Sequence, residues 1–268
     1  MIEVQNLTKS FGGLVAVRDI TLSIAKGSVT GLIGPNGAGK TTLFNVIAGN
    51  LTPSSGKIFF DGEDVTGLKP YRLFHKGLLR TFQIAHEFPR LSVIENLMMV
   101  PGNQLGESLI STWFQPKRVE KQEAEVLRKA NEVLEFLKLN HLANSFAGTL
   151  SGGQKKLLEL GRTMMVDPKI ILLDEVGAGI HRTILREIGE TIKRLNQELG
   201  YTFCMIEHDI DFISSLCQSI VVMAKGEVLF EGSSEQVRTN KDVIEAYLGS
   251  DTVRRRKPPN RMEDENVT

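Results

Sequence analysis

Several things are scarce in this sequence, and each scarcity removes a class of function. There are two cysteines, Cys204 and Cys217, both in apolar surroundings and without metal-type spacing. That excludes a disulfide scaffold or a cysteine-ligated metal and leaves both as small buried hydrophobes of a reducing compartment. Charge of either sign is not in excess: 32 Lys and Arg balance 32 Asp and Glu in 268 residues. Such a balance gives no electrostatic reason to expect nucleic acid as a partner. No apolar run approaches the roughly 18 residues of a membrane-spanning helix. The opening Met1-Ile2-Glu3-Val4 lacks the basic and then apolar segments of a secretory leader. The expectation is a cytoplasmic chain, carried to a membrane only by another chain. Internal repeats and long coiled-coil heptads are also missing, which argues against a repeat array or an extended coiled-coil arm.

What is present is ordinary globular material, 41% apolar and 24% charged, enough for a sizeable core. Residues 2–7 and 15–24 alternate as strands around the turn Phe11-Gly12-Gly13. The apolar run from Val29 to Ile33 reads as a buried strand, followed by a glycine-punctuated loop and a helix from Lys40 to about Ala48. Lys57 to Phe60 is a strand entering the turn Asp61-Gly62. From Val93 to Lys138 the pattern is helical, with Val119, Val126, Ala130, Val133 and Leu137 on one face. The Pro/Gly/Ser-rich stretch from Pro101 to Pro116 reads as a loop insertion, held down by Trp113-Phe114. The last third alternates again: strands at Ile170–Leu173, Phe203–Ile206, Val221–Ala224 and Val228–Phe230, and helices over Arg182–Leu199 and from about Asp209. This rhythm implies a parallel sheet with helices packed on it. Residues 251–268, basic and then acidic around Pro258-Pro259, read as a disordered tail.

Three motifs carry chemistry. Gly34-Pro35-Asn36-Gly37-Ala38-Gly39-Lys40-Thr41, continued by Thr42, matches the phosphate-loop pattern. Its glycines let backbone N–H groups converge on phosphate oxygens at a helix N-terminus. Lys40 would reach the β- and γ-phosphates and Thr41 would ligate Mg²⁺. Ile170-Ile171-Leu172-Leu173-Asp174-Glu175 is an apolar strand ending in two carboxylates. At the carboxyl end of a parallel strand, Asp174 is placed to hold Mg²⁺ through its water shell and Glu175 to polarise an attacking water. Leu150-Ser151-Gly152-Gly153-Gln154 opens a helix and makes a second anion cradle. One nucleotide does not need two γ-phosphate cradles, so the second would serve the nucleotide of a partner chain.

This pentapeptide, between the phosphate loop and the Asp-Glu strand, resembles the ABC ATPase signature. The resemblance covers residues 1–250 and implies an α/β fold: a P-loop NTPase core, an N-terminal antiparallel β part and an inserted helical subdomain at about 88–162. It also implies ATP and Mg²⁺ as cofactors. Gln83, in Arg80-Thr81-Phe82-Gln83, looks like the residue that touches Mg²⁺ and the attacking water. His208 looks like the switch histidine that contacts the γ-phosphate and supports Glu175, and Phe11 like the aromatic that stacks on adenine. Phe82-Gln83, Leu91-Ser92-Val93, Glu95-Asn96-Leu97, Ile206-Glu207-His208-Asp209 and Asp242-Val243-Ile244-Glu245-Ala246-Tyr247-Leu248-Gly249 narrow it to ATPase subunits of importers for branched-chain and other hydrophobic amino acids. Implied partners are a second ATPase subunit, a membrane permease and, through it, a solute-binding protein. The chain would then sit on the inner face of the cell membrane, and His86, Phe88 and Leu91 would line a groove for a permease helix. A cytosolic scaffold ATPase of iron–sulfur assembly is the alternative, with which Lys155-Lys156 is compatible. The sequence departs from the family pattern after Glu175. Val176 replaces the usual Pro, and His181 replaces the Asp or Asn that crosses the dimer interface; a neutral imidazole can still accept a hydrogen bond there.

Overall fold

The computed structural model describes residues 1–81, 87–102, 104–107 and 113–254, with side chains as far as Tyr247. The alternating N-terminal segments form a hairpin: β1 (Ile2–Phe11) and β2 (Leu14–Ile24) pair antiparallel and close at Phe11 opposite Leu14. β3 (Val29–Ile33), buried at every residue, runs through the glycine-rich loop into α1 (Lys40–Ile47). β4 (Ser55–Phe60) joins β1, and β5 (Glu63–Asp64) folds back on β4, which gives a four-stranded antiparallel sheet in the order β2-β1-β4-β5.

α2 (Pro70–Lys76) and the three-residue β6 (Leu78–Arg80) come next, neither of them evident from sequence pattern. Then come three helices, α3 (Val93–Met98), α4 (Pro116–Phe136) and α5 (Gly152–Met164). The remainder alternates as β7 (Ile170–Asp174), α6 (Arg182–Leu199), β8 (Thr202–Ile206), α7 (Ile210–Leu216), β9 (Ser219–Ala224), β10 (Glu227–Gly232), α8 (Ser234–Thr239) and α9 (Lys241–Arg254). α9 carries the helix through Arg254, into the segment read from sequence as a tail. Among the described residues the second sheet has the order β10-β9-β3-β8-β7-β6, parallel except for β10. No described helix is long and apolar enough to cross a membrane.

Strand periodicity divides the core into two layers. Leu32, Leu172, Ile206 and Val221 face α1 and the antiparallel sheet. Their neighbours Ile33, Ile171, Leu173, Met205 and Val222 face the other way, onto the helices. Successive strand residues point to opposite sides, so a fully apolar strand serves both layers. Phe44 on α1 is wholly buried in the first layer. Phe44→Ala should lower the unfolding free energy by about 3–5 kcal/mol through lost transfer energy and the cavity left behind, as read by urea denaturation.

On the other face, Ala130, Val133 and Leu134 of α4 pack with Val93 and Leu97 of α3 and Leu157 of α5. Exposure corrects the expectation for Trp113 and Phe114. They stand just before α4 at 82% and 76% exposure and so pack nothing down among the described residues. Both cysteines are buried and free, and burial pushes the Cys217 thiol up to about 12.

Candidate functional site

Three adjacent strands end at one edge of the large sheet. In the order β3-β8-β7, the chain leaves β3 into the glycine-rich loop, β8 into Glu207-His208 and β7 into Glu175. Groups far apart in sequence meet here because their strands are neighbours, in the crevice where open α/β sheets receive ligands.

The loop is shaped by its first glycine. Gly34 has φ +150°, and a Cβ there would lie 2.1 Å from the Met223 carbonyl oxygen, so the backbone can pass β9 only without a side chain. Beyond it, Asn36, Gly37, Ala38, Gly39, Lys40, Thr41 and Thr42 line a cleft of about 490 Å³, together with Phe11, Glu175 and His208. Gly34 and Pro35 stand behind that lining, and their carbonyls accept hydrogen bonds from the Lys40 ammonium at 2.7 and 3.1 Å. Lys40 is 6% exposed. Burial lowers its pKa, while Glu175 and Asp174 pull it back up. A buried ammonium beside a helix N-terminus and a turn rich in N–H groups suits a polyphosphate.

Glu175 turns the chain out of β7 with a left-handed φ of +51° and donates its N–H to Ile206 at 2.9 Å. This turn brings its Oε1 to 3.0 Å from His208 Nε2. An ionised carboxylate only accepts, so His208 Nε2 carries the hydrogen and donates it. Asp174, 4% exposed, lies behind Glu175 and not on the cleft lining; Arg80 Nη2 donates to its Oδ2 at 2.6 Å. Among the described residues no cluster of three or more His, Cys, Asp or Glu could cage a metal. The Thr41 hydroxyl and the Asp174 carboxylate nevertheless fit the habit of Mg²⁺, which keeps several waters and takes one or two protein ligands beside phosphate oxygens. Gln83, with Phe82 and His86, lies outside the described residues. Phe11, at the end of β1, is 46% exposed with Lys9 Nζ 5.1 Å from its ring centroid; it sits on the cleft and not in the core.

Ser151 caps α5 in a reciprocal box: its Oγ accepts the Gln154 N–H at 3.4 Å, and Gln154 Oε1 accepts the Ser151 N–H at 2.9 Å. Gly153 lets α5 lie close on α6, since a Cβ there would come 2.1 Å from Ile184 Cγ2. None of Ser151, Gly152, Gly153 and Gln154 lines the phosphate cleft, so one chain does not bring its two anion cradles together. Val176 is buried, and His181 caps α6, its Nδ1 accepting the Thr183 N–H at 3.4 Å.

Three groups at this edge escaped sequence reasoning. Arg80 is one. Tyr247 on α9 is another: its hydroxyl accepts the Gly34 N–H, and burial raises its pKa. The third is Glu207, a 4% exposed carboxylate that accepts the Gly177 N–H at 2.7 Å and the His208 N–H at 3.4 Å. It ties the segment after Glu175 to His208. A charged residue at the end of an apolar strand was its only signal. Desolvation, with a lesser push from Glu175, raises the Glu207 pKa against the pull of its two N–H partners. A carboxyl whose pKa is raised by folding takes up its proton more readily in the native state, so it adds relative stability as pH falls through that raised value toward about 4.3, the unfolded figure. Glu207→Gln removes this term. Melting curves should therefore show the wild-type advantage over the variant larger at about pH 5 than at about pH 8.

Comparison with known proteins adds to this geometry. The profile of the family described as "ABC transporter" matches residues 17–178, and that of "Branched-chain amino acid ATP-binding cassette transporter" matches residues 227–253. The chain is similar to the probable branched-chain amino acid transport ATP-binding protein LivG of Archaeoglobus fulgidus, 40% identical over 93% of this chain and 96% of that protein. It is 39% identical to the high-affinity branched-chain amino acid transport ATP-binding protein BraF of Pseudomonas aeruginosa, over 93% of this chain and 98% of that protein. A solved ADP conformation of an ATP-binding cassette of an ABC transporter superposes with TM-score 0.80 and 38% identity, covering 93% of this chain and 98% of the other. A dimeric, post-hydrolysis cassette bound to ADP and phosphate gives TM-score 0.70 and 26% identity, covering 87% and 99%.

Proposed function

This chain belongs to the ABC transporter family as an ATP-binding, ATP-hydrolysing subunit, and from that premise we propose that it powers uptake of branched-chain amino acids through a membrane permease. The similarity to branched-chain amino acid transport ATP-binding proteins supports the solute, and the 3.0 Å contact between His208 and Glu175 on the lining of the phosphate-loop cleft supports the hydrolytic step that powers uptake. That contact supplies a base beside the reacting phosphate and a donor to orient it.

In this reading the residues have separate tasks. The loop from Gly34 to Thr42 binds the nucleotide phosphates, with Lys40 as the principal cation, and Phe11 offers its ring to the base. Glu175 accepts the proton of the attacking water, and His208 holds the Glu175 carboxylate in place. Thr41 and Asp174, joined by Gln83, would hold Mg²⁺, which when bound neutralises charge developing on the phosphates. Ser151, Gly152, Gly153 and Gln154 complete the nucleotide site of a second subunit; their position off this chain's own cleft supports that assignment. Loss of the γ-phosphate then removes the contacts that join the two chains.

Affinity capture of the tagged chain from detergent-solubilised membranes tests the transport reading. Recovery of polytopic permease subunits is expected, with leucine, isoleucine or valine stimulating hydrolysis when the solute-binding protein is added. Recovery of soluble assembly proteins alone would overturn it.

A further inference from the structure

We infer that Arg80 is a positioning residue for the metal-side carboxylate: it fixes Asp174 and, by partly neutralising it, keeps the divalent cation exchangeable; this rests on the function proposed above. β6 is the edge strand next to β7, with Arg80 opposite Leu172. From there the guanidinium makes two contacts at once. Nη2 donates to Asp174 Oδ2 at 2.6 Å, and Nη1 donates to Asn45 Oδ1 on α1, also at 2.6 Å. The carboxylate that ends β7 is thus braced against the helix that leaves the phosphate loop.

The side chains of this pair are 15% and 5% exposed. Arg80 Nε is buried and has no hydrogen-bond partner among the described residues. Burying a cation with one donor unsatisfied is a poor route to stability, and an apolar residue of similar volume would serve a purely structural role as well. The geometry serves Asp174 instead. A planar guanidinium held at both ends fixes one carboxylate oxygen and leaves the other to the metal's water shell. Its charge also opposes the pull of Asp174 on a cation, because a guanidinium within hydrogen-bonding distance offsets much of the carboxylate's field.

The test is a Mn²⁺ titration followed by electron paramagnetic resonance, with a non-hydrolysable ATP analogue, alongside Mg²⁺-dependent hydrolysis by wild type, Arg80→Met, Arg80→Lys and Asn45→Ala. Arg80→Met should bind the cation about tenfold more tightly and yet hydrolyse about tenfold or more slowly, because the carboxylate is now attractive and misplaced. Arg80→Lys should return the cation half-saturation toward wild type, since it restores the charge. Asn45→Ala, which frees only the second tether, should shift half-saturation in the same direction as Arg80→Met, by about threefold. Where Arg80→Met does not fold, Asn45→Ala decides. Unchanged half-saturation in the variants that fold, whatever their activity, would leave Arg80 a structural ion pair and overturn the inference. Absence of Mg²⁺-dependent hydrolysis in the wild type would instead sink the proposed function.

Discussion

Glu175→Gln should arrest hydrolysis while leaving nucleotide binding intact. The amide keeps the shape of the side chain, and its oxygen still accepts the hydrogen bond from His208, which now stands at 3.0 Å from Glu175 Oε1. What is lost is the capacity to take a proton from water, and general-base catalysis is worth about 10²–10⁴-fold. Phosphate release should fall by that factor, with ATP affinity changed by less than about threefold, as expected for an interaction made only in the transition state. With ATP and Mg²⁺ present the variant should elute as a dimer, because under the proposed function each unconsumed nucleotide would be held between Lys40 of one chain and Ser151 of the other. A variant that turns over at the wild-type rate would remove Glu175 from the mechanism. One that stays monomeric would remove the shared nucleotide.

Lys40→Ala should act earlier, on binding itself. The ammonium is almost fully buried, donates to the Gly34 and Pro35 carbonyls, and lies in the field of Glu175 and Asp174. Without it, a polyphosphate entering the cleft meets the Glu175 carboxylate and no side-chain cation on the loop. Two charge-assisted hydrogen bonds at about 1.5 kcal/mol each come to about 3 kcal/mol, or roughly a hundredfold in affinity. The readout is thermal: ATP at about 100 times its dissociation constant stabilises the wild type by about 2.7 kcal/mol, and at the same concentration this should fall to about 0.4 kcal/mol in the variant. Lys40→Arg should not rescue it, since the confined channel beside Gly34 suits a compact ammonium and not a planar fork. A full ATP-induced shift in Lys40→Ala would show that the backbone alone binds the phosphates.

Much of this was readable from sequence because it is local. The phosphate loop needs glycine at Gly34 for steric reasons, and Ser151 with Gln154 spells out a helix cap three residues long. The span of α6, from Arg182 to Leu199, follows from apolar spacing with a glycine just past its end. Non-local features were hidden. β6 has only three residues, too few to show a period, and its status as a strand comes from pairing with β7. The Arg80–Asp174 contact joins positions 94 residues apart and depends on that pairing. Glu207 looked like one more polar residue beside a histidine until the Gly177 N–H was found against it. Trp113 and Phe114 failed for a different reason: aromatic character suggested burial, but whether it is granted depends on room in a layer whose other members are far away in sequence.

The exposure of Trp113 has an optical consequence. It is the chain's single tryptophan, so all indole emission comes from one site. Standing 82% in solvent, it should emit at long wavelength and be readily quenched by acrylamide. The lining of the nucleotide cleft contains no indole, so phosphate chemistry there has no fluorophore of its own. A blue shift with loss of quenching would therefore report the covering of the face before α4, and the intact protein carries this probe without any label.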